Sequence, residues 1–360
     1  MPFLNLSIYN FRNLENKTID LLSKEVYFVG ENGQGKSNLL EALYISSYAS
    51  SFRTKSENEL IKKGESEYSL RGFFREKSEK TTSISVSYKN GKKRIEKNGK
   101  TVKDRKELIN AIPCVLFCHD DLEFSVGEPE RRRFFIDQCL SMYDVVYIDF
   151  IRKYKQILKN RNIILKEEKY DLLEMYDIPL IKEGLEIQKR RNKAIFKFNT
   201  IFTSLYKDIS GIDGVKISYE PSWKSDNEAE ILEYVLSKRD VDKVMGTTMT
   251  GPHRDKIYFV KDGKNFVSTA STGQRRLIAL ILRIAQATYY SEITGKNPVL
   301  LMDDVLLELD PNKRQSVTAL LPTYDQLFCT FLPGEPYERY KKTTTKIYHI
   351  EKGSWNESKI

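Results

Sequence analysis

Between the apolar run "VYFV" (26–29) and a helical pattern opening at Ser37 lies "GENGQGKS", Gly30 through Ser37. The spacing G-x-x-x-x-G-K-S, with a strand before it and a helix after it, is the context a phosphate-binding P-loop requires. The glycines let successive backbone N–H groups curl around phosphate oxygens without a Cβ in the way. The helix N-terminus adds its positive dipole end. Gly30, Glu31, Asn32, Gly33, Gln34, Gly35, Lys36, Ser37 and Asn38 are therefore the candidate ATP-binding residues, with Lys36 reaching the β- and γ-phosphates and Ser37 a Mg²⁺ ligand. A glycine-rich turn with a chance lysine would have no reason to keep both the spacing and the flanks.

A second stretch needs a cation. "NPVLLMDD" (297–304) sets two carboxylates at the end of a short aliphatic run. Adjacent like charges repel and are costly to desolvate. In P-loop NTPases an aspartate at the end of such a strand holds Mg²⁺ near the P-loop serine. Asp303 is the candidate, and Asp304 is left to orient the attacking water. Lys36 and Asp304 are the catalytic candidates. The competing reading is an exposed acidic turn after a strand.

The remainder of the chain sets the context. At 360 residues it is long for one core, so two domains or one elaborated domain are expected. The start "MPFLNLSIYNFRN" lacks the pattern of a signal peptide, and no window approaches the ~18 uninterrupted apolar residues of a membrane span. A cytoplasmic protein without membrane association is expected. Cys114, Cys118, Cys139 and Cys329 lie in or beside apolar stretches without a second pair at ligand spacing, which points to reduced, buried thiols. The first third is β-rich: "LNLSIY" alternates, and "TSISVSYKNGKKRIEKNGKTV" holds two Asn-Gly turns. Residues 128–208 carry helical spacing. Phe134, Phe135, Gln138 and Cys139 would share one face, Tyr147, Ile151, Tyr154 and Leu158 another, and a third helix would cover about 178–208. Strand patterns resume at "VKISYEP" and "KIYFVKDGKNF".

"STASTGQRRLIALILRIAQA" adds a small-residue turn, Ser271, Thr272, Gly273 and Gln274, opening a strongly apolar helix about 30 residues before the acidic pair. The turn resembles the ABC-type signature, which contacts ATP held by the opposite subunit; alone it would be an ordinary helix cap. "LELD" after the acidic pair resembles the D-loop, with Glu308 and Asp310. Together with "NFRN" (10–13), "SSFRTKSENELIKKGE", "LFCHDDLEFSVGEPERRRFFID", "YKQILKNRNIILK" and "TGPHRD" (250–255), in order along nearly the whole chain, these stretches are similar to the RecF proteins of bacterial recombinational repair. His119 stands where that family usually has Pro, and Arg275 where it has a second Gln. The resemblance implies an α/β fold: an ABC/SMC-type P-loop ATPase head, 1–112 with 209–360, and an inserted helical arm at 113–208. It further implies an ATP-dependent homodimer with two composite sites, acting on double-stranded and gapped DNA. RecR, with RecO, would be served in placing RecA on strands coated by single-strand-binding protein. Transporter ABC domains carry Glu where Asp304 stands and a switch His near Thr330, so slow hydrolysis is expected here.

The formal net charge of +9 favours a polyanionic partner. Arg131, Arg132, Arg152, Lys189, Arg190 and Arg191, on the predicted helices, are the candidate DNA contacts, against the plainer reading of a solvated basic face. Competing functions are an SMC-like DNA-bridging ATPase with no loading role, a transporter's nucleotide-binding subunit and a phosphotransferase.

Overall fold

The computed structural model describes residues 2–76, 80–109, 111–306 and 311–358. The chain divides into two compact units, residues 1–120 with 290–360, and residues 121–289.

In the first unit a parallel sheet carries the P-loop. Its spatial order is Lys346–Glu351, Glu25–Val29, Gln326–Phe331, Val299–Met302 and Cys114–Phe117, with Ser354–Glu357 antiparallel on the outer edge. Every residue of 25–29, 114–117, 299–302 and 326–331 is buried, as in a parallel sheet covered on both faces. Ligands of such sheets lie beyond the carboxyl ends of the strands. Here those ends deliver the P-loop after Val29, Asp303 after Met302, and Thr330 within the strand between them. The helix Lys36–Tyr48 buries Leu39, Leu40, Leu43 and Tyr44 as expected.

The same unit holds a six-stranded antiparallel sheet in the order Lys17–Asp20, Phe3–Tyr9, Tyr68–Arg75, Thr81–Lys89, Lys92–Lys97 and Lys100–Thr101. Two of its tight turns are the pairs Asn90-Gly91 and Asn98-Gly99. Asn90 and Asn98 have φ of 51° and 53°, and the glycines after them 74° and 75°, the double positive φ of type I′ hairpins.

The second unit combines the helices Pro129–Ser141, Val145–Lys166, Glu174–Ser210, Glu228–Ser237 and Arg239–Met245 with a three-stranded sheet, Lys264–Asn265, Lys256–Lys261 and Lys216–Glu220. Two buried arginines tie it together. Arg161 donates to Asp177 (2.9 Å), Asp242 (2.7 Å) and the Thr248 hydroxyl (2.8 Å). Arg191 holds Asp137 through two bonds, Asp255 at 2.9 Å and the carbonyl of Pro252 at 2.7 Å.

The units divide elsewhere than at 112 and 208. Cys114–Phe117 is the edge strand of the parallel sheet rather than part of an arm, a four-residue apolar run too short to show its period. Residues 209–289 fall with the helices. Asn199, on the longest helix, pairs both its amide donor and its carbonyl with the backbone of Ile217, so the strand that follows is bound to that helix. Phe134 is 53% exposed and does not share the buried face of Phe135 and Cys139. Cys114, Cys139 and Cys329 are buried and Cys118 half-buried, and none of the four is in a disulfide. No helix among the described residues is long and apolar enough to cross a membrane.

Candidate functional site

Gly30 leaves the central strand so close to its neighbour that a Cβ there would lie 2.4 Å from the carbonyl oxygen of Ile350. Gly35, the last residue before the helix, has φ of 120°, a backbone that L side chains rarely adopt. Between them the Lys36 side chain folds back, and Nζ donates to the carbonyls of Gly30 (2.7 Å) and Glu31 (3.1 Å). The lysine is 4% exposed, so its charge is held inside the loop by backbone oxygens.

Two neighbouring segments, residues 10–13 and 50–55, pack against this loop and its helix. Asn13 Nδ2 donates to the carbonyls of Gly33 and Gln34, and its Oδ1 accepts from Asn38 at 2.8 Å. Arg53 donates to Asn38 Oδ1 at 2.7 Å, and Arg12 makes a two-bond pair with the buried Glu41 at 2.9 Å. From the other side Gln34 Oε1 accepts from the backbone of Lys352 at 2.6 Å. "NFRN" and "SSFRTK" thus brace the loop and its helix. An arginine or asparagine in a short loop has no periodicity to show this.

Ser37 Oγ donates to Asp303 Oδ1 at 2.8 Å, which joins the two residues expected to share Mg²⁺. Burial, aided by the charge of Asp304, pushes the Asp303 carboxyl up to about 6, while the bonds from Ser37 and Thr330 and the Arg53 charge pull the other way. A hydroxyl and a costly buried carboxylate are oxygen ligands that suit a hard dication, which would offset that cost. Thr330 Oγ1 donates to Asp304 Oδ1 at 2.7 Å, lies 3.3 Å from Asp303 Oδ1 and accepts the Asp304 backbone N–H at 2.8 Å. Asp304 itself has φ of 54°, a left-handed backbone that aspartate tolerates better than most residues. The threonine noted near the switch position therefore tethers the carboxylate expected to orient water.

Ser271 and Gln274 cap the helix Thr272–Thr294 reciprocally. Gln274 Oε1 accepts the Ser271 N–H at 2.8 Å and Ser271 Oγ accepts the Gln274 N–H at 3.3 Å, a capping box. Ser271, Thr272 and Gly273 are exposed, and a Cβ on Gly273 would meet nothing within 4 Å. The turn is both a helix cap and an open surface. Glu308 and Asp310 lie outside the described residues.

The basic candidates separate by burial. Arg131, Arg152 and Lys189 are exposed. Arg190 is half-buried, pairs with Asp144 and Glu186, and lies over the Phe150 ring. Arg132 donates to the Gly127 carbonyl at 2.8 Å, and burial holds its guanidinium below its ordinary range. Arg191 is 3% exposed and fully engaged, so it does not belong among surface contacts to DNA. Its place beside two other cations in sequence gave no hint of the buried Asp137 and Asp255 it serves.

P-loop heads of the ABC and SMC kind bring a nucleotide loop and an acidic strand end together across one intervening strand, and this chain has their fold. A solved SMC head bound to the C-terminal winged-helix domain of ScpA superposes with a TM-score of 0.60 over 99% of this chain and 97% of that one, at 16% identity. Residues 3–356 match the model of the "RecF/RecN/SMC N terminal domain" family. Similarity narrows further: "DNA replication and repair protein RecF" of Treponema pallidum (strain Nichols) is 48% identical over 98% of this chain and 100% of its own length. A structure titled "Structure of the recombination mediator protein RecF-ATP in RecFOR pathway" matches with a TM-score of 0.88 at 30% identity, over 99% of this chain and 98% of that one. The chain belongs to the RecF family.

Proposed function

We propose that the chain is an ATP-dependent DNA-binding protein of recombinational repair and replication restart, a slow ATPase that dimerises on ATP as a clamp on duplex or gapped DNA. The observation that carries the nucleotide chemistry is the 2.8 Å bond joining Ser37 to Asp303 below a loop in which Lys36 is already enclosed. On binding ATP, the Lys36 ammonium exchanges the carbonyls of Gly30 and Glu31 for phosphate oxygens, and the loop N–H groups take the rest. Ser37 and Asp303 are the residues that would hold Mg²⁺, which supplies charge neutralisation at the phosphates. Asp304 receives the proton or orients the water while the Thr330 hydroxyl holds its Oδ1. That tether, with a side chain one methylene shorter than glutamate, supports slow turnover.

The exposed turn 271–274 supports a second copy as the source of the trans contact. Each chain contributes one P-loop and one such turn, so two sites form only when two chains meet head to tail. Arg131, Arg152 and Lys189 are the remaining exposed candidates for sequence-independent phosphate contacts. Work with RecR and RecO in placing RecA on strands coated by single-strand-binding protein is proposed from family membership, supported by the pathway in the neighbour's title. The test is ATP turnover with and without duplex DNA. DNA should stimulate the wild type and Lys36→Arg should abolish turnover; equal rates with and without DNA, or an active mutant, would sink the reading.

A further inference from the structure

In the unit 121–289 a cavity of about 300 Å³ opens beside the capped turn. Two guanidinium groups, Arg132 and Arg275, share its wall with Ser125, Tyr258, Asn265 and Ser268. No Asp or Glu is among the described residues that line it. Glu128, whose field reaches Arg132, is exposed and stands outside the lining. The Nε atoms of Arg132 and Arg275 are both shielded from solvent, and neither has a hydrogen-bond partner among the described residues. The neighbouring hydroxyls give their protons to backbone, Ser125 to Leu122 and Ser268 to Asn265, each at 2.8 Å.

Buried donors without acceptors are rare enough to need a reason, and the reason here is chemical. Two guanidinium groups on one concave wall, without a carboxylate, present more donors than the protein satisfies. Guanidinium forks match the tetrahedral oxygens of phosphate in pairs. The cavity is at the small end of ligand pockets, large enough for a phosphate with part of its sugar. A merely solvated basic face would leave these Nε atoms in water rather than shielded from it.

We propose that this pocket is a second phosphate-binding site, separate from the P-loop, in which Arg132 and Arg275 hold one phosphate group of a nucleic-acid backbone or of a nucleotide. The inference rests on reading the chain as a partner of phosphate-bearing molecules, but not on the P-loop's chemistry. Pyrophosphate binding is measured by calorimetry on the full chain carrying Lys36→Ala, which removes the P-loop ammonium. Binding that persists there and weakens about tenfold or more on adding Arg275→Gln, and again with Arg132→Gln, is the expected result. No binding in Lys36→Ala, or binding that neither arginine variant alters, overturns the proposal. Circular dichroism verifies the fold of each variant, and Arg275→Gln keeps a polar side chain at a half-exposed helix position.

Two further arms identify the source, using Arg275→Gln alone. If the ligand is backbone phosphate, the slope of log K against log salt for a duplex oligonucleotide should fall by about 0.9. If it is a nucleotide held by a second copy, that slope stays and ATP-induced self-association weakens several-fold. No change in either arm contradicts the proposal. Loss of turnover in Lys36→Arg leaves the pyrophosphate result untouched, so the two readings fail separately.

Discussion

Asp303 pays for its position, and the cost can be measured. Its carboxyl is held up near 6 by burial, against an ordinary value near 3.8. In the nucleotide-free chain the native state therefore binds more protons than the unfolded chain between about pH 4 and 6, and this group's contribution to stability falls as pH rises through that window. Asp303→Asn removes the charge and keeps the shape. It should raise the thermal midpoint of the nucleotide-free chain at pH 7.5, by roughly 1–2 kcal/mol of stability, while turnover drops more than about a hundredfold. Differential scanning calorimetry beside an ATPase assay checks both; a lower midpoint would mean that Asp303 supports the fold. Only the ionised carboxylate can hold a dication, so Mg²⁺-dependent ATP binding by the wild type should weaken about tenfold per unit below pH 6.

At the scale of elements, the buried arginines separate architecture from surface. Arg191 joins Asp137 on one helix to Asp255 after the Pro252–Arg254 turn, so Arg191→Ala removes the cation that both carboxylates share and leaves them only neutral donors such as Tyr147, Tyr219 and the Ser222 N–H. It should cost about 3–5 kcal/mol in denaturant unfolding. Arg131→Ala with Lys189→Ala should change stability by less than about 0.5 kcal/mol and lower the salt slope of duplex binding by about 1.8, or 0.9 per phosphate lost. The reverse pattern would move the DNA surface onto other residues. His253 belongs to the same cluster. Its Nε2 faces the Thr248 carbonyl at 2.9 Å and its Nδ1 the Tyr154 hydroxyl at 2.6 Å, and burial pulls it down to about 4. The unfolded chain then binds the extra proton below pH 6.5, so stability is lost as pH falls from 6.5 towards 4. His253→Gln should flatten that decline by up to one proton in pH-dependent denaturant titrations, and an unaltered slope would assign the decline elsewhere.

Legibility followed the same division. The P-loop, the acidic pair, the capped turn and the Asn-Gly hairpins were readable because each depends on local backbone demands that only certain residues meet. The strand Cys114–Phe117, the bracing by Asn13 and Arg53, and the burial of Arg191 were not readable. They depend on partners far outside the local window, from 15 residues away for Arg53 with Asn38 to 54 for Arg191 with Asp137.

For the whole molecule, the deciding feature is incompleteness. One chain carries a P-loop, the residues proposed to hold magnesium and one exposed signature-like turn, and under the proposed function these serve different composite sites. ATP should therefore act first as the element that joins two copies, with hydrolysis releasing them. The most direct measurement is the mass of the wild-type chain by light scattering in saturating ATP with Mg²⁺, and again with a non-hydrolysable analogue. The expected result is a monomer without nucleotide, a doubled mass with the analogue that Lys36→Arg reduces or abolishes, and a mixture with ATP that returns to monomer as ATP is consumed. A chain that stays monomeric at saturating analogue would contradict it.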